Sequence, residues 1–180
     1  MITVRSLTKL SLVVLALAGL GLAACSSKKV KLPSCPRVGI LGDAQKGTQY
    51  RAGPGRDLTD VTFQTELLDY NGECKFEEKP PSVTVHFVLQ VAATRGPAAT
   101  ASEALVPYFV AVVDKQHHVL ARQAFTAHVP FKEGRRRVVV GEELEQTIPL
   151  DGRSTSEIEV LIGLEINHEQ LDKNRQERGF

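Results

Sequence analysis

From Leu58 to Ile166, apolar and polar residues take turns along the chain, the period of a strand with one face buried. Val61, Phe63, Thr65 and Leu67 alternate with Thr62, Gln64 and Glu66 and predict a first long strand. Asn71-Gly72 follows, the strongest short-range signal for a two-residue hairpin, and Pro80-Pro81 breaks the element beyond it. Val83, Val85, Phe87, Leu89 and Val91 then share one face, with Thr84, His86 and Gln90 on the other. Residues 94–104 are small and low in complexity and predict a loop. Residues 106–113 are continuously apolar, as for a strand covered on both faces. Past a turn at 114–117, alternation resumes through Val119, Ala121, Phe125, Ala127 and Val129. Glu133-Gly134 turns the chain into a strand-like stretch at 135–140. The acidic run 141–146 then leads to a short edge-like piece, 147–150, blunted by Pro149. Asp151-Gly152 marks a turn, and Ile158, Val160, Ile162, Leu164 and Ile166 give the cleanest alternation. Asn167, three residues ahead of Gln170, is close to a capping box and predicts a short surface helix over 168–178.

Ahead of this pattern, 37–41 is a short apolar run and a first strand. Residues 42–55 are glycine-rich and form a loop, with a forced turn at Gly53-Pro54-Gly55. The phosphate-cradling patterns G-x-x-x-x-G-K-[ST] and G-x-G-x-x-G are both absent from that loop. About seven or eight short strands, with no helical period until the end, predict an all-β fold. The expectation is an immunoglobulin-like or fibronectin type III-like β-sandwich with a short C-terminal helix, and a closed barrel is second. The chain has no tryptophan, and its cysteines lie early, so the antibody pattern of Cys, Trp and Cys is not followed.

The N-terminus carries Arg5 and Lys9 and then an apolar stretch, 10–22, of about 13 residues, short of the ~20 a spanning helix needs. Leu22-Ala23-Ala24-Cys25, at the end of that stretch, resembles the lipobox of bacterial lipoproteins. The resemblance implies that residues 1–24 are a removed signal peptide and that Cys25 is lipidated. With Ser26 in place of an aspartate, it also implies the periplasmic face of the outer membrane. Residues 25–34 are then the lipidated cysteine and a polar tether, and 35–180 the folded domain. The segments CPRVGILGDA, GPGRDLTDV, VPYFVAVVD and EELEQTIPL are similar to uncharacterised outer-membrane lipoproteins of α-proteobacteria. That group implies no activity.

With Cys25 lipidated, Cys35 and Cys74 remain as an even pair in an oxidising compartment. This favours a disulfide over two buried thiols or a pair of metal ligands, because two cysteines lack the four-ligand spacing of a zinc site. Arg5 and Lys9 are the basic residues ahead of Cys25, so the remainder holds 20 basic residues against 21 acidic ones. A near-neutral domain makes no electrostatic case for nucleic acid.

Catalytic signatures are weak. His86, His117, His118 and His128 lack metal-ligand spacing, no serine sits in G-x-S-x-G, and no cofactor is implied. Asp57 with Asp60, and Glu142, Glu143 and Glu145, are acidic groups of the kind that usually solvate a surface. Arg135, Arg136 and Arg137 form the densest charge and are candidates for anion contact, through bidentate guanidinium pairing, or a solubilising strand entry. The expectation is a non-catalytic, lipid-anchored binding or scaffold module with a membrane and an envelope protein as partners. The alternatives are a carrier holding a small or lipidic ligand between its sheets and a metal-binding periplasmic protein.

Overall fold

A computed structural model describes residues 34–179. The signal segment, the lipobox with Cys25 and nearly all of the tether lie outside the described residues. The described residues form an all-β sandwich of eight strands with one C-terminal helix. In chain order these are β1 (Arg37–Ile40), β2 (Lys46–Tyr50), β3 (Val61–Glu78), β4 (Pro81–Arg95), β5 (Glu103–Asp114), β6 (Val119–Pro130), β7 (Arg137–Pro149), β8 (Ile158–Leu164) and α1 (His168–Glu177). One sheet has the order β1-β8-β5-β6, the other β2-β3-β4-β7. Pairing is antiparallel throughout except between β1 and β8. The architecture is immunoglobulin-like, two sheets face to face, without the antibody strand order: β2, β3 and β4 form a meander.

The alternation places Val83, Val85, Phe87, Leu89 and Val91 of β4 against Val106, Tyr108, Val110 and Val112 of β5, with Val160 and Ile162 of β8 beside them. Each such side chain contributes roughly 1.5–3 kcal/mol on full burial. The aromatic pair Tyr108 and Phe125 stacks at 5.4 Å between centroids, and Phe63 stacks on Phe131 at 5.5 Å.

Four expectations need correction. Asn71-Gly72 is not a hairpin: β3 runs straight through it, and these residues pair with Val88 and Phe87 of β4. The chain turns at Lys79-Pro80 instead, where Pro80 is cis. The phase of the alternation does change near here, because a β-bulge between Leu67 and Tyr70 inserts one extra residue. Before the bulge, Phe63, Thr65 and Leu67 face inward; after it, Tyr70, Cys74 and Phe76 do. Gly72 is required for close approach rather than for a turn, since a Cβ there would stand 2.2 Å from the His86 carbonyl oxygen.

The glycine-rich loop 42–55 contains a whole strand, β2. The strand-like stretch 135–140, the acidic run 141–146 and the edge-like piece 147–150 are not separate pieces: one continuous strand, β7, runs from Arg137 to Pro149. Finally, β5 is covered on both faces only in its second half, where Val110 to Val113 are all buried, whereas Leu105 is 51% exposed. On its outer face the Arg122 guanidinium lies 4.4 Å over the Phe109 ring and pairs with Glu165, a local cover instead of a second layer.

Cys35, just ahead of β1, is bridged to Cys74 of β3, so the disulfide joins the two sheets. The bulge makes this possible by turning Cys74 inward.

Candidate functional site

A sandwich of two open sheets has four strand edges, and each edge carries unpaired backbone N–H and C=O groups able to template another strand. Here the edges are β1 and β6 in one sheet and β2 and β7 in the other. They are not treated alike.

The edge of β2 is sealed by α1. Leu67 N–H donates to the Gln45 carbonyl at 2.9 Å, so the odd-numbered residues of β2 bond to β3 and the even-numbered ones face outward. Thr48 is one of these. Its N–H donates to Gln170 Oε1 at 3.0 Å, and its carbonyl accepts from Gln170 Nε2 at 2.5 Å. The carboxamide thus meets both groups that a neighbouring strand would have met. Asn174 Nδ2 donates to the Lys46 carbonyl and to the Asp43 carbonyl, each at 2.8 Å. Arg175 Nε and Arg178 Nη1 hold the Asp43 carboxylate at 3.2 and 3.1 Å. Asn167 caps the helix as predicted, accepting from Gln170 N–H at 2.9 Å. The Gln170 side chain does not reach back to complete the box, because Thr48 takes it. The edge of β1 is partly occupied too: Tyr70 OH donates to the Val38 carbonyl at 2.6 Å.

Among the described residues, the other two edges are open. Arg95 N–H donates to the Arg136 carbonyl and Leu150 N–H to the Pro81 carbonyl, across an unbroken register. Even-numbered residues of β7 therefore bond to β4, and Val139, Gly141, Glu143, Glu145 and Thr147 present N–H and C=O to the outside. Among the described residues, one bond is made to this row, from Gln146 Nε2 to the Thr147 carbonyl at 3.4 Å. The same argument on Phe131 N–H and the Ser102 carbonyl leaves Arg122, Ala124, Thr126 and His128 of β6 facing outward. Pro149 and Pro130 both fall on outward positions, so the N–H each lacks would have belonged to the free edge and no ladder bond is lost.

The core is also unfinished on this side. The inward residues Val138, Val140 and Leu144 of β7 are only half-buried, and Phe125 of β6 likewise. Val119 and Val139 are 61% and 47% exposed. Glu142 points inward at the same edge, where its carboxylate accepts from the buried Tyr108 OH at 3.4 Å. Burial, and then the Glu142 charge, push the Tyr108 phenol well above its ordinary range.

The arginine run splits by role. Arg137 donates to Glu66 Oε2 at 3.1 Å and to Thr94 Oγ1 at 3.2 Å, so β3 balances it rather than the acidic stretch nearby in sequence. Arg136 contributes its carbonyl to Arg95, and Arg135 N–H donates to the Lys132 carbonyl. Arg135 and Arg137 line a shallow depression of about 340 Å³ with Pro130, Lys132, Val138 and Val139, at the end of the open flank. A second depression, of about 330 Å³, lies between α1 and residues 48–56. Its cations are engaged: Arg56 lies over the Tyr50 ring and donates to two carbonyls, and Arg51 lies 2.5 Å from Asp60 Oδ1. That buried oxygen has no aligned hydrogen bond, so charge, not geometry, compensates it.

The acidic and histidine candidates are dispersed. Asp57 caps the turn at Leu58–Asp60, and the Thr59 hydroxyl, followed by the Thr59 N–H, holds its carboxyl below the ordinary value. Asp114 is lowered by the His118 N–H first. Glu143 and Glu145 face outward while Glu142 faces in. His86, His118 and His128 each sit beside one carboxylate, of Glu145, Asp114 and Glu103, at 3.3, 3.0 and 3.2 Å. His117 occupies a left-handed turn position, with φ 61°. Among the described residues no three His, Cys, Asp or Glu side chains converge as a metal site would need. Core side chains occupy the space between the sheets, and the depressions described above lie at the surface.

No protein family, curated protein or solved structure matches the chain.

Proposed function

We propose that this chain is a lipid-anchored, non-catalytic binding and scaffold module of the cell envelope. In this reading Cys25 holds it at the periplasmic face of the outer membrane, and the open flank of β6 and β7 engages an envelope protein by strand addition. The observation that carries it is the asymmetry of the edges. Side chains from α1 satisfy the outward groups of β2, while β7 keeps a nearly complete outward row beside a half-covered core. Residues 26–34 span at most about 30 Å when extended, which keeps this flank close to the bilayer.

Two measurements test the reading. Cys25→Ser should move the protein from the membrane to the soluble fraction, and unchanged fractionation refutes the anchor. A photo-crosslinker at Val139 should capture a defined protein in intact cells, whereas one at Gln176, on the sealed side, should not. Equal capture at both sites, or none at Val139, refutes the docking flank.

A further inference from the structure

We infer that the occupant of the β7 edge is β7 of a second copy of this chain, paired antiparallel about a two-fold axis through Val140. The inference rests on the open flank being a docking surface and adds the identity of the partner.

Charge complementarity selects it. β7 begins basic, at Arg137, and turns acidic at Glu142, Glu143 and Glu145. Antiparallel self-pairing lays the basic start of one strand along the acidic middle of the other. With Val140 opposite itself, Arg137 faces the partner's Glu143 and Val139 faces the partner's Gly141. Both pairs occur twice by symmetry. All four positions are odd-numbered, so their free N–H and C=O groups meet as hydrogen-bonded pairs, and Val140 forms the non-bonded pair on the axis. Facing residues share a face of the sheet. Arg137 and Glu143 therefore meet on the outer face, and Val140 meets the partner's Val140 on the inner face, where it is now half-covered.

Other registers pair these charges less completely. Centring on Gly141 keeps Arg137 opposite the partner's Glu145 but moves Arg135 opposite Thr147. Centring on Val139 keeps Arg135 opposite the partner's Glu143 but leaves Arg137 opposite a glycine and brings the partner's Glu145 toward Glu133. The Val140 centre also directs the side chain of Arg135 toward the partner's Glu145. Arg137 already bonds Glu66 and Thr94, and its guanidinium has donors left for a second carboxylate. Pro149 lies outside the paired window and ends it. β6 does not qualify as a self-pairing edge, because its outward row offers no acidic residue to Arg122 or His128.

The test uses full-length protein purified from membranes in detergent. Val140→Cys should form an oxidant-dependent cross-link between copies, since facing Cβ atoms in a non-bonded pair stand about 4.5–5.5 Å apart. Leu144→Cys should not, because it faces Arg136 and lies several residue pairs from its own copy. Glu143→Arg should weaken the dimer by about tenfold in sedimentation, because it sets two guanidinium groups face to face at both ends of the paired window. A folded Val140→Cys protein that stays monomeric under oxidant overturns the inference, as does equal cross-linking at Leu144→Cys or a Glu143→Arg dimer as tight as the parent. If the Val139 photo-crosslinker then still captures a different protein, this inference alone has failed. If it captures nothing, the docking flank fails with it.

Discussion

Replacing Gly72 by alanine probes how closely β3 and β4 approach. The added methyl would stand 2.2 Å from the His86 carbonyl oxygen and 2.7 Å from Phe87 Cβ, whereas real contacts of this kind begin near 3.0 Å. The strands must separate by about 0.8 Å at a point held by the ladder on both sides, an overpacking strain of about 1–3 kcal/mol. Restricting the unfolded chain offsets this by only about 0.5–1 kcal/mol. A mid-range net loss of about 1–2 kcal/mol, at about 2–4 °C per kcal/mol for a domain of this size, should lower the melting temperature by roughly 2–8 °C. Asn71→Thr, on the exposed face of the same strand, should stay within about 0.5 kcal/mol of the parent. Thermal unfolding followed by circular dichroism measures both. A Gly72→Ala protein melting with the parent, or an Asn71→Thr protein losing as much as Gly72→Ala, would show that these residues do not lie in a continuous strand.

Removing the disulfide by replacing Cys35 and Cys74 with alanine opens a loop with a sequence separation of 39 and should cost about 4 kcal/mol, seen as a lower denaturant midpoint that reductant no longer shifts. Tyr108 makes the fold sensitive to alkali. Its phenol keeps its proton in the folded state above the ordinary pKa of about 10, where the unfolded chain loses its own, so this stabilisation is complete below pH ~10 and declines above it. Denaturant midpoints at pH 9 and pH 11 should therefore diverge in the parent and converge in Tyr108→Phe. An equal loss in both proteins refutes the assignment.

Period-two alternation was enough to predict the sandwich, because each strand with one buried face writes that face into its sequence. β4 and β8 are legible almost to the residue. The errors fall where another force acts on the same letters. At Asn71-Gly72 the turn chemistry is real, but a bulge two residues earlier absorbs the phase change and leaves Gly72 to serve close packing. β2 lacks an apolar pattern, since Lys46, Gly47, Thr48 and Gln49 carry no apolar side chain and none of its residues is fully buried. The acidic letters of β7 resemble a loop because the strand lies at a sheet margin, where charge on both faces is tolerated. The proposed docking flank is only partly visible in the sequence. The edge character of 147–150 could be read, whereas the sealing of β2 depends on Gln170 and Thr48, which meet only in the folded chain.

That sealing has a consequence for assembly. A sheet that accepts a strand at either margin can grow without limit, one molecule after another. Here the C-terminal helix acts as a stopper on one margin of the β2-β3-β4-β7 sheet. Any strand added to that sheet would arrive from the β7 side, and the proposed symmetric pair would consume the vacancy of both members. The same few amide groups that look like incidental surface chemistry would thus keep the growth of this sheet finite.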